Sequence, residues 1–159
     1  MTVKSIPGGY HSITPYLMMD GAARAIAFYQ EAFGATELFR MADDKGRVGH
    51  AEIRIGDSVV MLADTQPGAT CSSPRSLGGS TVGLMIYLEN VDTVFARALK
   101  AGGKSIRPLA NQFYGDRSGT LEDPFGHVWT VATHVEDVPP EEIERRVAAL
   151  KSSASATST

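Results

Sequence analysis

The chain has 159 residues, 43% hydrophobic and 21% charged, enough for one well-buried core or two small modules sharing one. A formal net charge of −3 argues against a nucleic-acid surface, and no apolar run approaches the ~20 residues that cross a bilayer. The single cysteine, Cys71, rules out an intramolecular disulfide and a multi-cysteine metal site, and its ATCSSPRS setting reads as an incidental loop thiol. The opening MTVKSIPGGYHS is too polar and too broken by proline and glycine for a secretory signal, so a soluble cytoplasmic protein is expected.

Residues 1–12 read as an irregular lead-in. Residues 13–63 form a first module. Its first strand spans 13–19, Asp20 stands where it can cap a helix, and Ile26, Phe28, Tyr29 and Phe33 make an apolar stripe that Gly34 ends. Strands follow at 36–41, 47–55 and 58–63. In the middle one His50, Glu52 and Arg54 share one face, while Ala51, Ile53 and Ile55 share the other. The last, with Val59, Val60, Met61 and Leu62, is apolar on both faces and is expected to be covered on both.

Residues 64–81 turn to glycine, serine, threonine and proline and read as a flexible linker. Residues 82–135 repeat the first module: a strand at 82–88, caps at Asn90 and Asp92, and a helix at 91–101 that Gly102-Gly103 ends. Strands follow at 104–109, 117–122 and 127–134, with a DPFG turn before the last. Residues 136–151 carry an added helix with Ile143, Val147 and Leu150 on one side, and 152–159 (SSASATST) read as a disordered tail.

Both halves therefore follow a βαβββ pattern, with a C-terminal helix after them. The segments AIAFYQEAFGA, GHAEIRIGDSVVMLAD and LEDPFGHVWTVATHVED resemble the vicinal oxygen chelate superfamily, which includes glyoxalase I, bleomycin-resistance proteins and extradiol dioxygenases. Within it the likeness is to the PhnB-like branch and covers roughly residues 10–137. The resemblance implies an α+β fold in which the two modules form a curved mixed sheet around a cavity. It is specific for the fold and much less so for the activity, because this fold hosts several chemistries.

In the superfamily's enzymes four strand positions hold a divalent metal. Counting places Thr14, Met61, Gly83 and Thr130 there, none of them a carboxylate or an imidazole. No metal and no cofactor are therefore expected. What the resemblance then implies is a cavity for a small, partly apolar organic ligand, lined by Thr14, Tyr16, Met18, Met61, Met85, Tyr87 and Thr130, with Arg117 as a clamp for a carboxylate or phosphate. It also implies a homodimer with the cavity formed between modules.

The alternative is a lyase, isomerase or dioxygenase-like enzyme with a displaced acid–base site at His50 and Glu52. These two residues also read as a polar, solvent-facing strand side, and Arg117 as a loop staple paired with Asp116. The DPFG segment reads as turn chemistry, and His127 and Trp129 as core packing behind Thr130.

Overall fold

A computed structural model of the chain describes residues 3–156, with side chains to residue 152. The elements run β1 (Tyr16–Met19), α1 (Ala22–Phe33), β2 (Thr36–Ala42), β3 (Val48–Ile55), β4 (Ser58–Asp64), α2 (Pro74–Leu77), β5 (Gly83–Tyr87), α3 (Val91–Lys100), β6 (Lys104–Asn111), β7 (Asp116–Glu122), β8 (Val128–His134) and α4 (Pro140–Ala156). Two four-stranded sheets result, ordered β1-β4-β3-β2 and β5-β8-β7-β6. In each, the first strand pairs parallel with the last and the other pairings are antiparallel. The two βαβββ modules expected from the repeat are thus present, with a C-terminal helix after them.

One shared core holds the modules together. α1 and α3 contact each other, and the buried cluster runs from Ala51, Ile53 and Leu62 of the first sheet to Leu121, Trp129 and Val131 of the second. The rings of Phe28, Tyr29, Phe33, Phe125 and Trp129 interlock at centroid distances of 5.1 to 6.5 Å. Such pairs add roughly 0.5–1.5 kcal/mol each beyond the area they bury. Because both sheets give one face to this core, their other faces look away from it.

Several local features differ from the sequence reading. β1 begins at Tyr16, and Ile13 is 86% exposed. Asp20 does not cap α1. The N-cap is Gly21, and Asp64 at the end of β4 supplies the carboxylate, with Oδ1 accepting from the Gly21 and Ala22 N–H groups at 2.8 and 2.7 Å. Its Oδ2 accepts from the Val48 N–H at 2.8 Å, so one carboxylate ties α1, β3 and β4 together. Asp20 instead accepts from the Ser73 hydroxyl at 2.7 Å.

That contact anchors the stretch expected as a linker. Ser73 is fully buried and caps α2, whose Pro74 is also buried, and Arg75 donates to the Pro124 carbonyl. Helix α4 continues to Ala156, through part of the stretch expected as a disordered tail, and residues 157–159 lie outside those described. Helix α1 ends as expected at Gly34, with φ of 69°. Among the described residues no helix is long and apolar enough to cross a membrane.

Candidate functional site: a hydrogen-bonded open face and an apolar seam

Alternation along β3 decides where His50 and Glu52 point. Ala51, Ile53 and Ile55 are buried against the core, so His50 and Glu52 stand on the open face of the first sheet. Register places Tyr16 opposite Met61, Met61 opposite Glu52, and Glu52 opposite Phe39, giving one row across four strands. His50 is paired with Met41 in β2.

A continuous hydrogen-bonded chain crosses this face. The Tyr10 hydroxyl donates to Glu52 Oε2, Glu52 Oε1 lies 3.2 Å from His50 Nε2, and His50 Nδ1 lies 3.0 Å from the Tyr16 hydroxyl. Hydrogen bonds from Tyr10, then from His50, hold the Glu52 carboxyl below its ordinary range. An ionised carboxylate only accepts, so His50 Nε2 carries a proton toward Glu52, and in the neutral imidazole Nδ1 then accepts from the Tyr16 hydroxyl. The imidazole also packs edge-on against Tyr16 at 5.5 Å and near Phe39 at 6.2 Å. The bond from Glu52 in turn pushes the Tyr10 phenol above its ordinary value.

The second sheet has its own cluster. Tyr87 donates to Asp116 Oδ2 at 2.8 Å, and His134 Nδ1 lies 2.8 Å from Asp116 Oδ1, with Asp137 2.9 Å from His134 Nε2. The Asp116 hydrogen bond, then that of Asp137, raises the His134 pKa above its usual value, so this imidazole favours the protonated form. Asp116 is itself buried.

Thr14 lies before β1, Met61 faces Tyr16, Gly83 opens β5, and Thr130 stands opposite Met85 with its hydroxyl 3.1 Å from that of Thr120. A glycine, a thioether and two neutral hydroxyls do not fit a divalent cation. Among the described residues no group of three or more His, Cys, Asp or Glu could hold a metal ion.

Arg117 leaves the candidate lining. It lies on the helix side of β7 and grips Asp92 bidentately at 2.8 and 2.6 Å, with Asn111 at 3.2 Å. It therefore joins β7 to the start of α3, and it does not pair with Asp116.

The remaining lining residues divide between two clefts at the seam of the modules. The larger, about 660 Å³, has Val59, Met85 and Tyr87 in its walls, under Ile13 and Pro15. It lies where the four-residue β1, paired with β4 only from Met61 onward, leaves Ser58–Val60 without a parallel partner. The smaller, about 330 Å³, takes Tyr16 and Met18 together with Leu77, Val82 and Cys71.

Sequence reasoning missed three groups. Asp123 does make the turn read from the sequence, accepting from the Phe125, Gly126 and His127 N–H groups, but it is also 2% exposed and accepts from Tyr29 and Trp129. Tyr10 and Asp116 were missed because each is tied to partners on other elements. His127 and Trp129 are in the core as expected, with His127 Nε2 3.0 Å from the Met18 carbonyl.

Comparison with known proteins fits this architecture. The chain is 41% identical over 136 residues to the uncharacterized protein Rv0887c of Mycobacterium tuberculosis (strain H37Rv), covering 84% of this chain and 80% of that one. TioX from Micromonospora sp. ML1 superposes with a TM-score of 0.62 at 24% identity, over 79% of this chain and 99% of TioX. The PhnB protein of Bacillus cereus superposes with a TM-score of 0.58 at 23% identity, over 77% and 99%. These two likenesses concern the fold. The family model of the Glyoxalase/Bleomycin resistance protein/Dioxygenase superfamily matches residues 11–131, and the chain belongs to that superfamily.

Proposed function

We propose that the protein binds a small, partly apolar organic molecule in the seam between its two modules, without a metal. The observation that carries this reading is the cleft of about 660 Å³ walled by Val59, Met85 and Tyr87. Its size falls within the roughly 300–1,000 Å³ of small-molecule sites. Met85 supplies a polarizable, unbranched side chain that adapts to an irregular ligand, while the Tyr87 hydroxyl, held by Asp116, gives a fixed polar end. Most of the remaining wall is aliphatic, with Ser58 and Asp57, themselves hydrogen-bonded at 2.8 Å, at its rim as the polar exception.

Apolar surface away from this cleft and from the His50–Glu52 pair suits a second copy of the chain: Leu77, Val82 and Ile106 are 48% to 69% exposed, area that association would bury. Ligand-observed NMR with a panel of metabolites and antibiotics tests the binding. Hits that compete with one another and are lost in Met85→Trp are expected; a panel with no hits would refute the reading.

A second reading rests on the ordered chain Tyr16–His50–Glu52. A ligand whose O–H or acidic C–H replaced the Tyr16 hydroxyl at His50 Nδ1 could lose its proton there, and Glu52 would hold the imidazolium. Turnover that fails in His50→Gln and weakens in Glu52→Gln would favour it. Turnover retained in both variants would remove it.

A further inference from the structure

The open face of the first sheet is held by a residue that belongs to neither module. Tyr10 sits in the lead-in before β1, with no strand or helix around it, yet its hydroxyl reaches Glu52 in β3. Among the described residues of the lead-in a turn, closed by the Tyr10 N–H donating to the Pro7 carbonyl at 3.2 Å, shapes the chain. Gly9 has φ of 84°, and a Cβ there would come within 2.9 Å of the Arg54 guanidinium, so glycine lets the turn lie against β3. Among the described residues of the lead-in, a further polar tie is a 3.8 Å approach of His11 to Asp57, both well exposed. An exposed ion pair of that kind adds little to holding this strap.

What Tyr10 does on this face is chemically specific. Each polar atom of the His50–Glu52 pair meets a matched partner, and both outer partners, Tyr10 and Tyr16, are neutral phenols. Glu52 keeps one oxygen for the imidazole and offers the other outward. On either side of Glu52 along the row stand Met61 and Phe39, the latter 48% exposed, which provide apolar surface for a ring.

We infer that this face is a second recognition site, selective for a phenol or another neutral hydroxyl donor on an apolar body, and that Tyr10 occupies it as an intramolecular stand-in. An incoming ligand donates its hydroxyl to Glu52 Oε2, lies between Phe39 and Met61, and displaces the strap. No bond is made or broken in this step; one phenolic donor replaces another. The site is separate from the seam cleft and does not rest on the reading given for it. The same exchange would bring a ligand hydroxyl beside His50.

The probe is p-cresol, the tyrosine side chain cut at its β-carbon, titrated into the full-length protein and followed through the backbone amide signals of Phe39, His50 and Glu52. The Tyr10→Ala variant is expected to bind p-cresol at least fivefold more tightly than the unaltered chain. Toluene, which lacks the hydroxyl, is expected to show no such gain, and adding Glu52→Gln to Tyr10→Ala is expected to abolish it. Equal p-cresol affinity with and without Tyr10, or a matching gain for toluene, overturns the inference.

Tyr10→Phe keeps the ring and removes only the donor, so it serves should the alanine variant not fold. In Tyr10→Phe the Glu52 carboxyl is expected to titrate at higher pH than in the unaltered chain; an unchanged titration overturns the inference. Ligand effects at Val59 and Met85, read in the same spectra, report on the seam cleft alone, so failure of one site is distinguishable from failure of the other.

Discussion

The Tyr29 hydroxyl donates to Asp123 Oδ2 at 2.6 Å, and both residues are buried, so one hydrogen bond joins the helix of the first module to the DPFG turn of the second. The second oxygen of that carboxylate takes the Phe125 and His127 N–H groups, and the Trp129 indole shares Oδ2 with the phenol. A buried carboxylate is costly unless its acceptor sites are filled, and here four donors fill them.

Removing only the phenol oxygen tests this joint. Tyr29→Phe preserves the ring packing and takes one donor from Asp123, so a loss of about 1.5–3 kcal/mol is expected, the usual worth of a hydrogen bond to a charged group. Urea denaturation should show a lower midpoint with an unchanged slope.

The same residue sets an alkaline limit. Burial first, and then the charge of Asp123, raise the Tyr29 pKa well above 10.0. A phenol whose folded pKa is raised contributes stability fully present below about pH 10, which is lost as pH climbs from there toward the folded value. The unaltered protein is therefore expected to lose stability above about pH 10, and Tyr29→Phe to show a shallower decline. Equal alkaline slopes in equilibrium unfolding would contradict the assignment.

Asp64 offers a third check. It accepts the Gly21, Ala22 and Val48 N–H groups, doing for α1 the work of an N-cap from a distant strand. Asp64→Ala is expected to cost about 1–2 kcal/mol, at the upper end for loss of a cap, whereas Asp20→Ala should leave the first turn of α1 intact. Amide exchange of that turn separates the two variants.

His134 supplies a pH test. Its pKa is raised, chiefly by the hydrogen bond with Asp116 and next by that with Asp137. Any stability this imidazole contributes is complete below its unfolded value near 6.5 and is lost as pH rises through the folded value. Carbon-detected NMR should find it titrating above 6.5 in the unaltered chain and closer to 6.5 in Asp116→Asn.

These tests also mark where the sequence stops being informative. The repeat, the Gly34 stop and the facing of His50 and Glu52 away from Ala51 and Ile53 follow from local periodicity, and each is present. Asp64, Asp123 and Arg117 find partners set by tertiary packing, at separations of 42 residues for Asp64–Ala22, 94 for Asp123–Tyr29 and 25 for Arg117–Asp92. No spacing rule announces such a pair. The strap at Tyr10 was hidden for a related reason, since a tyrosine among proline and glycine carries no periodic signal.

The most direct test of the proposed function maps a bound ligand onto the seam. Methyl and aromatic NMR spectra of the full-length protein, recorded with and without the tightest hit from the metabolite and antibiotic panel, should shift the signals of Val59, Met85 and Tyr87, and Met85→Trp should abolish the shifts. Binding that leaves those three residues unperturbed, or that survives Met85→Trp unchanged, would contradict a ligand site between the modules.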